Sequence, residues 1–285
     1  MIPSISQPAS LRWTYRAYIL LFYIFLIAPL AVVATFAFND SLFPSLPWNG
    51  FTLDWFTGDT PQRLGVFSDT AMLESVGVSA FIAFFVTALS IFVATTNAFL
   101  FERYDFRFKE FLYMLMLLPL VIPGVILGIS ILISSNSMAN YMDEAFNLEA
   151  EFLRPGLVLV ILGQFAFITT IATMVIGARL RKMDRSLEEA AYNLGASKTA
   201  VLRTITLPYL RPAMVGAAIV AFLMSFENFN TTLMLTSSDS PLTITMFDRL
   251  REGSTPELNA VSLLLMIVSG VLALISVFVQ KKEDS

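Results

Sequence analysis

Histidine and cysteine are both absent from these 285 residues. Without cysteine there can be no disulfide and no thiolate metal site. Without histidine the chain lacks the commonest proton-transfer group near neutral pH and the commonest metal ligand. Charge is scarce as well. Asp, Glu, Lys and Arg make up 14% of the sequence, against about 25% in a typical soluble domain. No Gly-x-x-x-x-Gly-Lys-Ser/Thr run occurs, so the chain cannot hold ATP in the P-loop manner. A Ser–His–carboxylate triad is excluded, no zinc cluster is spaced along the sequence, and no basic tract suits nucleic acid. The expectation is a protein with no catalytic residues, no metal site and no cofactor.

What the chain has in quantity is apolar surface. Hydrophobic residues make up 56% of it, including 26 phenylalanines. Apolar runs of about 20 residues recur, the length that crosses a bilayer. They predict an all-α polytopic membrane protein with six spans, at residues 17–38, 71–99, 111–134, 155–176, 213–235 and 259–279. The first run is too long for the apolar core of a signal peptide and no cleavage site follows it. It is therefore read as a span, with Pro29 inside it. Residues 1–16 and 281–285 then form short tails around a membrane domain of residues 17–280.

The connections carry the polar residues. Residues 39–70 predict a small external loop with one short interfacial helix, and Trp48 and Trp55 suit an interfacial belt. Residues 135–154, with Asp143, Glu144, Glu149 and Glu151, and residues 236–258 predict two further external loops. Fourteen of the 18 Lys and Arg residues fall on the side of the two termini, and only Arg63, Arg154, Arg249 and Arg251 on the other. By the positive-inside rule both termini are cytoplasmic. Fourteen of the 22 acidic residues lie on the external side, a bias that concentrates cations, docks a protein or merely follows topology.

Several polar or helix-breaking residues interrupt the spans. The third contains LLPLVIPGVILG, with Pro119, Pro123 and Gly124. Either these kink a packed helix or they mark a bent helix lining a pathway. The fourth carries Gln164, Thr169, Thr170 and Thr173, which hydrogen-bond between helices or face a solute. Glu227 and Asn228 lie late in the fifth span, and an ionisable residue within a span is a functional candidate.

The longest patterned polar stretch is Ser186 to Pro212, SLEEAAYNLGASKTAVLRTITLPYLRP. Ser186 with Glu189 matches a capping box. Leu187, Ala190, Ala191 and Leu194 repeat at helical spacing. Gly195 suits a position of positive φ after the helix. Ser197 caps a second helix with Val201, Leu202 and Ile205 on one face, and Pro208 is expected to end it. An ordinary helix–turn–helix connector fits this pattern as well as a docking element does.

Glu189-Ala190-Ala191, Gly195 and Leu207-Pro208 together resemble the conserved cytoplasmic loop of ABC importer permeases, the binding-protein-dependent transport system inner membrane components. The match runs from Glu188 to Pro212, with Leu194, Ala196 and Pro212 in place. Pro29, the Asn39-Asp40 pair and the Pro–Pro–Gly segment extend it over most of the chain, from about Tyr18 to Gln280. Departures are Glu74, where the family has Asn before Ser, and Asn228, where an acidic residue is usual after Glu227. The polyamine branch (spermidine/putrescine) is the most similar.

The resemblance implies a type I importer permease fold in a bacterial inner membrane, with a coupling loop at residues 179–212. It implies that Glu188, Glu189, Ala190, Ala191, Leu194, Gly195 and Ala196 meet an ATP-binding subunit dimer. It further implies a second permease subunit, different from this one, and an extracytoplasmic binding protein delivering a small solute. The pathway candidates are Pro119, Pro123, Gly124, Gln164, Thr170, Glu227 and Asn228. Iron, thiamine, phosphonate or opine-like solutes remain alternatives, as do a channel or an ion-coupled carrier.

Overall fold

The computed structural model describes residues 9–44, 46–253 and 256–281. Helices dominate: α1 (Ala9–Phe36), α2 (Asp54–Thr57), α3 (Thr70–Arg103), α4 (Lys109–Val121), α5 (Gly124–Phe146), α6 (Leu157–Arg181), α7 (Ser186–Asn193), α8 (Lys198–Val201), α9 (Leu207–Phe226), α10 (Thr232–Leu235), α11 (Leu242–Glu252) and α12 (Pro256–Lys281). The described strands, β1 (Asp59–Thr60) and β2 (Arg63–Leu64), form one antiparallel hairpin. Among the described residues, six helices are long and apolar enough to cross a membrane: Ser10–Phe36, Thr70–Arg103, Gly124–Phe146, Leu157–Arg181, Lys198–Phe226 and Pro256–Phe278.

The number of spans matches the sequence reading, but several boundaries differ. The expected third span breaks after Val121 and restarts at Gly124. Pro123 is the cause. Its Cδ clashes with the backbone and Cβ of a helical residue before it, and Ile122 is accordingly extended at ψ 129°. The restarted helix runs on to Phe146, through residues read as the start of an external loop. The fifth span ends at Phe226 rather than 235, and α11 fills part of the expected loop 236–258. Pro208 does not end its helix. The chain continues from α8 through a π-helical turn, Leu202–Thr206, into α9. Proline has no N–H to donate and crowds the carbonyl four residues back. The wider turn just before it relieves that crowding. Residues 1–8 of the expected N-terminal tail, and 282–285 of the C-terminal one, lie outside the described residues.

The chain divides into two compact units, Met1–Thr70 with Arg249–Ile267 and Ala71–Asp248 with Val268–Ser285. In the larger unit the core runs along α6. One cluster joins Ala94, Ala98, Ala172, Ile176, Leu180, Leu210 and Ala217, and another joins Ile82, Val86, Val160, Ile168, Ala221 and Leu235. Alanines recur because lipid is as apolar as leucine, so helices in a bilayer associate through close backbone approach rather than by hiding apolar area from water. Gly163 shows the same constraint: a Cβ there would run into the Leu235 side chain.

The smaller unit holds the segment after α1. A bridge between Asn39 and Phe51 closes an excursion of residues 40–50. Trp55, expected to suit an interfacial belt, is turned into the protein. It is 2% exposed, and its Nε1 donates to the Asn39 carbonyl at 2.8 Å. Arg63 pairs with Asp40 at 2.5 Å and Asp54 at 2.7 Å. Arg249 pairs with two buried carboxylates, Asp69 at 2.5 Å and Glu257 at 2.9 Å. Burial opposes the Arg249 charge, but the hydrogen bond to Asp69 and the field of both carboxylates outweigh it and hold its pKa above the ordinary arginine value.

Candidate functional site

The Glu-Ala-Ala segment forms a helical hairpin whose local chemistry sets its shape. Ser186 does not cap α7; it is the first helical residue. Asp184 takes that role, its Oδ1 accepting from the Ser186 N–H at 2.9 Å. That bond holds the Asp184 carboxyl below its usual range. Asp competes well with Ser for such donors and brings a negative charge to the positive end of the helix. At the other end Gly195 takes φ +85°. The Gly195 N–H donates to Tyr192 O at 2.9 Å and the Ala196 N–H to Ala191 O at 3.0 Å. Those two bonds are a Schellman closure, which places glycine at the left-handed position. Ser197 then caps α8 as expected, accepting from the Ala200 N–H at 3.2 Å.

Charged groups fasten the hairpin to its own unit. Glu188 turns inward: its Oε1 accepts from the Thr206 hydroxyl at 2.7 Å, and its Oε2 lies 3.3 Å from Arg103. Arg181 donates twice to Glu102, at 3.0 and 2.5 Å, a two-pronged geometry that fixes orientation as well as distance. Arg185 donates to the Glu102 carbonyl at 3.1 Å. A cavity of about 410 Å³ lies beside this joint, lined by Phe99, Arg103, Tyr104, Glu188, Tyr192 and Lys198 among others.

The opposite face is bare. Glu189, Ala190 and Gly195 are exposed, Ala191 and Ala196 half-buried. Leu194 is 89% exposed and Leu187 53%. Of the predicted coupling residues, then, Glu188 is an anchor, while the others lie on or beside an exposed knob. Small alanines allow a partner to approach closely, and the leucines supply apolar area to bury.

The pathway candidates separate into a buried group and an exposed residue. Gln164 is 1% exposed. Its carboxamide accepts from the Ser225 hydroxyl at 2.5 Å and donates to Thr232 Oγ1 at 2.8 Å. Thr232 donates onward to Asn228 Oδ1 at 2.9 Å. Gly124 joins the same region: its carbonyl accepts from Thr231 at 3.4 Å, and a Cβ on it would lie 3.0 Å from that of Asn230. Thr170 donates to the Met116 carbonyl at 2.7 Å, near Pro119 within α4. Pro123 is the residue from which α5 starts. Glu227 stands apart. It caps the end of α9, is exposed, and accepts from Ser269 Oγ at 2.8 Å.

Sequence reasoning missed Glu102, Arg103 and Thr206 as the hairpin's anchors, and Ser225 and Thr232 as the partners of Gln164. Each is a polar residue at or near the end of an apolar run. That was the available signal, but the partners lie 18 to 85 residues apart in sequence, so no local pattern pairs them.

The chain is 29% identical over 276 residues to the putrescine transport system permease protein PotI of Escherichia coli K12, an alignment covering 96% of this chain and 93% of that one. It is 27% identical to the spermidine/putrescine transport system permease protein PotC of Haemophilus influenzae, over 94% of this chain and 97% of that one. Its fold is similar to that of a chain in the crystal structure of a bacterial ABC transporter involved in the import of the acidic polysaccharide alginate. There the TM-score is 0.73 at 17% identity, covering 96% and 95% of the two chains. The profile of one family matches residues 87–282, from within α3 past the end of α12, and by that match the chain belongs to the binding-protein-dependent transport system inner membrane components.

Proposed function

We propose that this chain is the membrane-spanning subunit of an ATP-driven importer for a polyamine, of the putrescine or spermidine kind. The observation that carries the solute class is its likeness, over nearly its whole length, to permeases named for putrescine and spermidine. The exposed Glu-Ala-Ala knob supports the energy source. An α7–Gly195–α8 hairpin fastened by Glu188, Arg181 and Arg185 transmits a push along its axis instead of bending under it.

In this reading an ATP-binding subunit dimer, a second and different permease subunit and an external binding protein complete the machine. Both termini face the cytoplasm. The knob formed by Glu189, Ala190, Ala191, Leu194, Gly195 and Ala196 seats in an ATPase cleft, with Glu188 holding it from behind. ATP binding closes the ATPase dimer and moves the hairpin. The movement passes through Arg103 and Glu102 to α3, and through the π-helical turn to α9. Only the difference in affinity between two permease states lets such a movement drive transport. Glu227, exposed at the end of α9, is the candidate for attracting a cationic solute.

The test is uptake by the reconstituted importer, with its binding protein saturated and ATP present. Labelled putrescine and spermidine should enter, and unlabelled ferric iron or thiamine should not compete. Entry of labelled iron or thiamine, with no polyamine entry, would replace the solute class while leaving the importer reading intact.

A further inference from the structure

The segment after α1 is built inside out for a loop in water. Asn39 is fully buried. Its carboxamide closes the excursion by donating to the Pro47 carbonyl at 3.4 Å and accepting from the Asn49 N–H at 2.9 Å. Further backbone bonds, Asp40 N–H to Gly50 O and Thr52 N–H to Phe38 O, both 2.9 Å, fix its neck. The apolar side chains point the other way. Leu42 is 51% exposed, Phe43 71%, Leu46 76%, Trp48 45%, Phe51 68% and Leu53 53%. From Ser41 to Leu53 the chain carries no charged residue. A surface loop facing water normally exposes polar groups, and a large exposed apolar patch marks something that covers it.

We infer that residues 41–44 and 46–53 rest in the headgroup region of the bilayer, with Phe43, Leu46 and Trp48 directed into lipid. Two observations select lipid over a protein partner. The patch follows a membrane span directly. At 28 residues, α1 is about 42 Å long, more than the roughly 30 Å hydrocarbon core, so its end at Phe36 lies at the headgroups and the patch begins five residues later. The patch also offers no ion-pairing group, whereas the bilayer interface favours the residues present, above all an amphipathic tryptophan. Between α1 and α3 the charged residues flank the patch: Asp40 lies just before it and is held by Arg63 at 2.5 Å, and Asp54, Asp59, Arg63 and Asp69 come after it. The rigid neck then ties the depth of the patch to the depth of α1.

The absence of cysteine makes the test direct. Phe43→Cys, Leu46→Cys and Thr60→Cys are spin-labelled separately in the assembled importer. Each complex is reconstituted in nanodiscs of phosphatidylethanolamine and phosphatidylglycerol. Labels at 43 and 46 should be relaxed more by oxygen, which partitions into lipid, than by a neutral nickel chelate, which stays in water. The label at 60, in the hairpin, should show the reverse. Greater relaxation by nickel at 43 and 46 puts the patch in water and overturns the inference. Exclusion of both reagents means that protein covers it, and overturns it too. Position 43 or 46 alone suffices if the other variant does not assemble. Because both reagents reach both faces of a nanodisc, the result does not depend on topology or on the solute.

Discussion

At the residue scale the highest stakes lie at Arg249, where one guanidinium balances two carboxylates that are each less than 5% exposed, Asp69 and Glu257. Breaking a buried ion pair by removing one partner costs about 3–5 kcal/mol, because the other charge is left uncompensated. Arg249→Met should therefore lower the thermal stability of the purified complex sharply. Adding Asp69→Asn and Glu257→Gln to that variant should recover much of the loss, since no buried charge is left stranded. Failure of the triple variant to recover would mean that arginine packing, not charge, holds the site. Glu227 calls for the opposite expectation. It is exposed and sits at a helix C-terminus, where a negative charge gains nothing from the helix dipole. Glu227→Gln keeps an oxygen to accept the Ser269 bond, so protein level should not change, while polyamine uptake per assembled complex should fall. Unchanged uptake would remove Glu227 from the pathway. The carboxylate itself was visible in the sequence. What was not visible is that α9 stops at Phe226 and that Asn228 instead reaches forward to the start of α10, accepting from Thr232 at 3.2 and 2.9 Å, a pairing set by the turn between the two helices.

At the scale of elements, the hairpin shows which features a sequence carries locally. Gly195 and Ser197 were legible because a left-handed closure and a helix cap are each made within a few residues. The capping role of Asp184 and the continuation past Pro208 were not. One required choosing between adjacent good caps, and the other a π-helical turn that no simple period reveals. The same logic separates two substitutions at Gly195. A Cβ there meets nothing within 4 Å, so the space is open and only the backbone at φ +85° objects. Gly195→Ala should cost the hairpin about 1–2 kcal/mol and leave most ATPase co-purification intact. Gly195→Arg adds bulk and charge to the exposed face beside Leu194, and should abolish co-purification while the subunit still reaches the membrane. Equal retention of the ATPase by both variants would show that the knob is not a docking surface.

At the scale of the whole molecule, the apolar runs disclosed six spans because length and composition suffice to define them. The break between α4 and α5 reopens the count, since seven crossings follow if each of these helices crosses alone. Length argues against that. At 13 residues α4 is about 20 Å long, short of the roughly 30 Å core. Charge argues against it more strongly. With the N-terminus inside, a seventh crossing would carry the hairpin outside along with Arg179, Arg181, Lys182, Arg185, Lys198, Arg203 and Arg211, against the positive-inside rule. It would also strand the Glu-Ala-Ala knob on the side without ATP. Two single cysteines decide the matter, at Glu149 between α5 and α6 and at Lys198 at the start of α8, both exposed positions. In intact cells an impermeant maleimide should label Glu149→Cys, and should label Lys198→Cys only after the membrane is opened. The reverse pattern would mean either that α4 and α5 cross separately or that the whole chain is inverted, and the ATPase-docking role of the hairpin would fall in both cases.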